Sequence, residues 1–452
     1  MSRIAGEVSA LGRLAWPLAA ANVGNVAIGT VHTVVVGRLD AVDIGAVGLG
    51  TALYFAVTIV GMGCMLGLDP LVAQAVGARE PRRARAMVRH GIFVALALGA
   101  VLAAVVALVG TALPHVGIDP LTAARAVEYM HWRLPGVPLF LAFVGARTYL
   151  QAHGTTRPLL IGVLLANVVN LPLSYALVLG DQGLRDVGLP ALGVPALGVA
   201  GAGVSASFCY LVQLVVALLA VRAIAVDDTG PPPSPARATI VRMLALGFPI
   251  GLQMLAEVAA FASVTVLAGR MGATPLAGHQ VALTVASATF QVPLAIGAAA
   301  SARVGRAIGA GDARGARLAG LVAIGAGAAF MLCSSAVLLA FPGFLATVVS
   351  PRANVVAAAV PLLVIASVFQ LSDGVQAVAS GALRGAGDTR LPLGVNLVGY
   401  YLAGLPLGVT LALVLGWGVS GLWWGLSAAL TIVAVTLTIR FLRVSARPIA
   451  RA

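Results

Sequence analysis

Asp227-Asp228-Thr229-Gly230-Pro231-Pro232-Pro233-Ser234-Pro235 is the one clear hydrophilic break near the middle of this 452-residue chain. Proline lacks an N–H donor and fixes φ, so no helix runs through such a stretch. On either side of it the chain is strongly apolar: over the whole sequence 60% of the residues are hydrophobic and only 10% charged. Apolar stretches recur, each long enough to cross a hydrocarbon layer of roughly 30 Å at about 1.5 Å per residue. They read as spans at 11–36, 44–71, 87–113, 126–151, 158–180, 198–221, 243–268, 276–300, 318–341, 355–383, 391–415 and 418–439. The sequence thus predicts an all-α integral membrane protein of about twelve transmembrane helices in two six-helix pseudo-symmetric lobes. The N-lobe covers 1–222, a cytoplasmic linker 223–240 and the C-lobe 241–452. The period-2 alternation of an outer-membrane barrel is absent, while abundant Gly, Ala and Ser suit close helix approach. The first apolar stretch, Leu11 to Val36, is too long for the core of a cleaved signal and is read as the first span.

The formal charge of +13 comes from 28 basic residues, all Arg. They sit in short loops rather than on one solvated face, which argues against a nucleic-acid partner. One side of the layer collects Arg79, Arg82, Arg83, Arg85 and Arg89, then Arg157, Arg222, Arg237 and Arg242, then Arg303, Arg306, Arg314 and Arg317, then Arg384 and Arg390, and finally the tail from Arg440 onward. The other side holds a scatter such as Arg38, Arg185, Arg270 and Arg352. By the positive-inside rule both termini are cytoplasmic, in a multi-pass protein of the cytoplasmic (inner) membrane. Without lysine there is no phosphate-binding loop of the G-x-x-x-x-G-K type, so the chain is not expected to hydrolyse ATP itself, and any transport has to run on an ion gradient. Cys64, Cys209 and Cys333 lie in apolar spans and read as small hydrophobes, with no metal site.

The two halves repeat each other. At an offset of 232, Pro17 falls on Pro249, Thr33-Val34 on Thr265-Val266, Gly37-Arg38 on Gly269-Arg270, Gly77-Ala78 on Gly309-Ala310, and Arg82, Ala84 and Arg85 on Arg314, Ala316 and Arg317. After a small slip, Gly154, Thr156 and Arg157 match Gly387, Thr389 and Arg390, and Leu171-Pro172-Leu173 matches Leu405-Pro406-Leu407. Six spans per half give both halves the same orientation, with a pseudo-two-fold axis along the membrane normal, the architecture of transporters that rock about a central cavity.

Leu14-Ala15-Trp16-Pro17, Thr33-Val34-Val35-Val36-Gly37-Arg38-Leu39, Pro70-Leu71-Val72-Ala73-Gln74-Ala75-Val76-Gly77-Ala78 and Tyr149-Leu150-Gln151-Ala152 come in that order. Gly247-Phe248-Pro249, Glu257, Ala277-Gly278-His279-Gln280, Arg303-Val304-Gly305, Gly309-Ala310-Gly311-Asp312 and Leu383-Arg384-Gly385-Ala386-Gly387-Asp388-Thr389 follow. Together they resemble the MATE (multidrug and toxic compound extrusion) family, and the acids on helices 7 and 10 resemble its NorM-type branch. The resemblance implies two six-helix lobes around an outward cavity. It also implies export of amphipathic, often cationic small molecules in exchange for Na+ or H+, without cofactor or enzymatic activity. Where most bacterial members place an Asp in the first helix, just before the Thr, this chain has His32.

An ionised carboxylate near the bilayer centre costs on the order of 3 kcal/mol or more, so Glu257 and Asp373 need a proton, a bound cation or water. They are the candidate coupling residues, at similar depths on helices 7 and 10; the alternative is a structural acid satisfied by neighbouring amides. His32 is a third candidate, able to replace the missing acid or simply to donate a hydrogen bond. Gln253, Gln370 and Gln376 are amides beside the acids, and Asn25 stands where the first half matches Glu257. With Asn167, Asn170, His279 and Gln280, which either tie helices together or face substrate, they form the candidate cavity set. Asp69, followed by Pro70, is expected at a break in helix 2. Trp16, Trp132, Trp417, Trp423 and Trp424 read as interface anchors, and Arg133 and Arg147 as residues that snorkel to a boundary.

The nearest alternative function is a lipid-linked-oligosaccharide flippase of the same superfamily, which calls for cationic residues in its cavity. No H-E-x-x-H, no G-x-S-x-G and no grouped Cys/His argues for an enzyme. The expected partners are a small-molecule substrate and membrane lipid, with the chain acting as a monomer.

Overall fold

The computed structural model describes residues 3–115, 117–186, 188, 190–226, 235–447 and 449–452, and within these the regular structure is helical, without strands. The first half forms α1 (Arg3–Val36), α2 (Ala41–Leu66), α3 (Leu68–Gly77), α4 (Pro81–Ala112), α5 (Pro120–Arg133), α6 (Gly136–Ala152), α7 (Arg157–Leu179), α8 (Asp181–Asp186) and α9 (Val199–Ala223). The second forms α10 (Ala236–Arg270), α11 (Ala273–Gly309), α12 (Ala313–Ala340), α13 (Pro342–Val349), α14 (Ala353–Gly385), α15 (Arg390–Leu397), α16 (Leu405–Val409) and α17 (Gly418–Val444), with π-helical turns at Val398–Gly404 and Thr410–Val414. Of the expected linker, residues 227–234 lie outside the described residues.

Eleven helices among the described residues are long and apolar enough to cross a membrane. The fourth expected span, 126–151, is two shorter helices, α5 and α6, parted at Leu134-Pro135. Pro135 and Pro138 bring no N–H to the turn, which frees carbonyls. The single hydroxyl proton of Ser207 on α9 has its nearest acceptor in the Gly203 carbonyl at 3.1 Å and also lies within reach of two carbonyls at this break, Arg133 (3.3 Å) and Trp132 (3.5 Å). A second break, at Gly67 between α2 and α3, falls just before Asp69.

The helices assemble into two compact units. Unit 1 holds the start of α1 up to Ala19, Asp69–Arg79 and everything from Leu252 onward; unit 2 holds Ala20–Leu68 and Glu80–Gly251. Thus α1 and α10 each change unit, at Ala19/Ala20 and Gly251/Leu252, points separated by the 232-residue offset of the repeat and lying two residues past Pro17 and Pro249.

Within unit 1 the repeat is visible as a reciprocal crossing. A Cβ added to Gly77 would strike the Arg306 backbone, and one added to Gly309 would strike the Gln74 backbone. Residues 74 and 306, like 77 and 309, are repeat equivalents, so α3 and α11 meet through corresponding positions, as a pseudo-two-fold crossing demands. Just beyond, Gly311 takes φ 73° and its equivalent Arg79 takes φ 60°, Arg79 being the one non-glycine residue in the left-handed region among the described residues. Asp312 then caps α12, accepting the Gly315 N–H at 2.7 Å.

Candidate ion-coupling site

In unit 1, α14 runs backbone to backbone against α11, where Gly381 meets Gly297 and Gly385 meets Ser301 without room for a side chain. That contact fixes the face of α14 carrying Gln370, Asp373 and Gln376, all buried. Asp373 is 7% exposed, and Glu257 of α10 is half-buried. The Gln376 amide lies between them, its Nε2 donating to Glu257 Oε1 at 3.1 Å and, more weakly, to Asp373 Oδ1 at 3.5 Å. Among the described residues neither carboxylate has a basic side chain within ion-pair distance. The buried Tyr400 ring stands beside Glu257, and Tyr401 donates its hydroxyl to the Ala256 carbonyl at 2.9 Å. Both tyrosines sit in the π-helical turn Val398–Gly404. Such widened turns often occur at functional positions in helices. Two ionised, unpaired carboxylates sharing one amide in these surroundings cost too much to coexist.

The other candidates divide. Gln253 donates to Ser380 Oγ at 3.2 Å, and Gln370 to Thr289 Oγ1 at 2.6 Å and Ser334 Oγ at 3.4 Å, so these amides tie helices beside the acids. His279 is fully buried and fixed from both sides, Nε2 at 2.9 Å from Thr265 Oγ1 and Nδ1 accepting from Trp423 Nε1 at 3.0 Å. Trp423 therefore departs from the expected interface anchors. It is a core residue stacked near Phe369, whereas Trp16, Trp132, Trp417 and Trp424 are exposed. Gln280 is exposed. Asp69 pairs with Arg384 at 3.1 Å, joining α3 to α14, an electrostatic role that its place beside a helix break did not announce.

In unit 2, α7 is bonded to α1 through side-chain amides: Asn167 donates to the Gly24 carbonyl at 2.9 Å and Asn170 to that of Ile28 at 3.2 Å. Asn170 Oδ1 in turn accepts from Ser174 at 3.1 Å and Ser205 at 3.0 Å. Asn25 and His32 line a cavity of about 80 Å³ with Arg133, Cys209, Tyr210 and Gln213. Arg133 does not snorkel. Its guanidinium lies 4.2 Å from the Tyr54 ring centre and donates to Tyr129 Oη at 2.5 Å and Thr51 Oγ1 at 3.2 Å. Arg133 and Gln213 are missing from the expected cavity set. The signal for Arg133 was its place just before Pro135, at a helix break; nothing in the sequence marks Gln213.

The geometry defines a multi-pass helical membrane transporter assembled from two repeats. The MatE family profile matches the chain twice, over residues 17–176 and 249–410, starting at the two repeat prolines. The chain belongs to this family, whose members are transporters rather than enzymes. It is 37% identical to the probable multidrug resistance protein NorM of Deinococcus radiodurans over 96% of this chain and 95% of that one. It is 33% identical to the multidrug resistance protein MdtK of Pectobacterium atrosepticum over 100% of this chain and 98% of that one. The crystal structure of the eukaryotic MATE transporter AtDTX14 shares the fold with a TM-score of 0.84 at 22% identity, covering 97% of this chain and 96% of that one.

Proposed function

We propose that this protein exports amphipathic, cationic drugs or toxins in exchange for Na+ or H+ by alternating access, without a cofactor. The observation that carries the proposal is the Glu257–Gln376–Asp373 cluster, two carboxylates bridged by one amide and without a basic ion-pair partner among the described residues. A site of this kind holds one proton or one monovalent cation and releases it when access to water changes sides. The relatives named multidrug resistance proteins support the substrate class.

In this mechanism the lobes 1–222 and 241–452 move as a pair linked by 223–240. The unit-changing helices α1 and α10 bend at Pro17 and Pro249, where a backbone hydrogen bond is missing. Both termini are cytoplasmic, the monomer is the working unit, and His32 is dispensable for coupling.

Dye efflux from proteoliposomes, with Na+ and H+ gradients imposed separately, tests the proposal. Efflux driven by at least one gradient is expected, and efflux with neither would overturn it. Reporter fusions after Arg85 and Asp312 are expected to read as cytoplasmic; an external signal at either would refute the orientation.

A further inference from the structure

The cavity of unit 2 has the opposite chemistry to the acid cluster. Among its lining residues there is no Asp or Glu, and the one permanent charge is Arg133. Three buried polar atoms around it have no hydrogen-bond partner among the described residues: His32 Nε2, Arg133 Nε and Gln213 Nε2. The Gln213 Oε1 atom is unpartnered as well, with the residue 1% exposed, and His32 is 4% exposed. Buried donors left unsatisfied are costly, and a guanidinium without a counter-ion in these surroundings is more so. The partners Arg133 does have are neutral: the Tyr54 and Tyr129 rings, the Tyr129 and Tyr210 hydroxyls and the Thr51 hydroxyl. They orient the fork, and among the described residues no carboxylate compensates its charge. At roughly 30 Å³ per water, the space of about 80 Å³ holds two to three waters, room for one carboxylate group.

We propose that this cavity is an anion-binding site, taking a single carboxylate-type group between Arg133, His32 and Gln213, with Tyr210 and Ile28 against the ligand's apolar part. Guanidinium and carboxylate match as a planar pair of donors and acceptors. The site goes beyond the exporter proposal, since a transporter of cations alone has no use for a buried, uncompensated arginine. It would admit zwitterionic substrates, or a lipid carrying an anionic headgroup.

The test uses three probes of similar shape, benzoate, benzamide and benzamidine, titrated calorimetrically into the full-length protein in phosphatidylcholine nanodiscs. No gradient is applied, so the outcome is independent of whether dye efflux succeeds. Benzoate is expected to bind tightest and benzamidine weakest. Loss of a charged hydrogen bond predicts about ten- to a hundredfold weaker benzoate binding in Arg133→Gln, with benzamide little changed. Should Arg133→Gln fail to fold, Arg133→Lys, which keeps the charge but not the fork, and the near-isosteric Gln213→Leu are each expected to weaken benzoate several-fold. Repeating the titration with phosphatidylglycerol added separates the two sources. Weakened benzoate binding there assigns the natural occupant to a headgroup, and unchanged binding assigns it to a free organic acid. Equal binding of benzoate and benzamide would mean a merely hydrated cavity and overturn the proposal, as would tighter binding of benzamidine or benzoate affinity indifferent to the Arg133 and Gln213 substitutions.

Discussion

Replacing Asp373 by asparagine removes one of the two negative charges that Gln376 bridges while keeping shape and hydrogen-bonding capacity. Because the amide nitrogen lies 3.1 Å from one carboxylate oxygen and 3.5 Å from the other, those oxygens are no more than about 6.6 Å apart. At an effective dielectric of about 20, two unit charges at that separation repel by about 2.5 kcal/mol. A bound cation or proton relieves that repulsion. Asp373→Asn is therefore expected to weaken binding of the coupling ion by roughly 70-fold, since about 1.4 kcal/mol is a factor of ten. Glu257→Gln should act alike, and the double substitution should abolish binding. Na+ titration of the purified protein, and proton release on substrate addition in weakly buffered solution, measure the effect; gradient-driven efflux at matched expression measures its consequence. If the site were bathed in bulk water, the same separation would be worth only about 0.6 kcal/mol, a factor of roughly three. An affinity change no larger than that, or full export by either single mutant, would refute a shared single-cation site.

His32→Ala is expected to keep at least part of the coupled export that Glu257→Gln loses, because imidazole is a poor sodium ligand and the repeat equivalent of His32 is the apolar Val264; equal loss in both mutants would make His32 part of the coupling site. Arg79→Gly should stabilise the protein by about 1 kcal/mol, since it relieves a side chain from the left-handed conformation that Gly311 adopts at the equivalent place; a lowered thermal midpoint would refute this. Asp181 accepts the backbone N–H groups of Val194, Leu192 and Gly193, and these bonds lower its pKa. A lowered folded-state value means a contribution fully present above the ordinary aspartate range, about 3.9, and lost as pH falls through the lower folded value. Limited proteolysis within 190–197 is accordingly expected to accelerate only below about pH 4 in the native chain and at all pH values in Asp181→Ala, and an identical pH profile in both would refute the role.

The spans, the repeat and the two membrane-embedded acids were legible because each is a local or strictly periodic property of the chain. Hydropathy marks a helix, and an offset of 232 marks a duplication. Orientation about the helix axis was not legible. In spans apolar on all sides, no polar stripe tells which face meets a neighbour. Trp423 read as an anchor for that reason, and Arg133 as a snorkelling residue. Their partners, His279 from α11 and Tyr54 from α2, come from distant parts of the sequence. Gln376 was recognisable as an amide near the acids, but that it, rather than Gln253 or Gln370, bridges both depends on the close contact of α14 with α11. The two lobes were read from the repeat, whereas the compact units follow packing, so the first turns of α1 and α10 belong with helices of the opposite half.

Duplication kept the backbone and changed the lining. The unit crossings and the reciprocal meeting of Gly77 with Gly309 recur at corresponding positions, since a close backbone contact tolerates no added atom and each repeat inherits the same restriction. The charged groups are under no such restriction. At the equivalent positions 25 and 257 one half carries a neutral amide beside a basic cavity, and the other an acid in a cluster without bases. A symmetric ancestor with an acid at both positions would hold two cations, and a basic group next to either would release one of them. Within unit 2 the basic group stands among neutral side chains, whereas within unit 1 the acid pair stands among amides and tyrosines, so the same ancestral backbone carries linings of opposite sign.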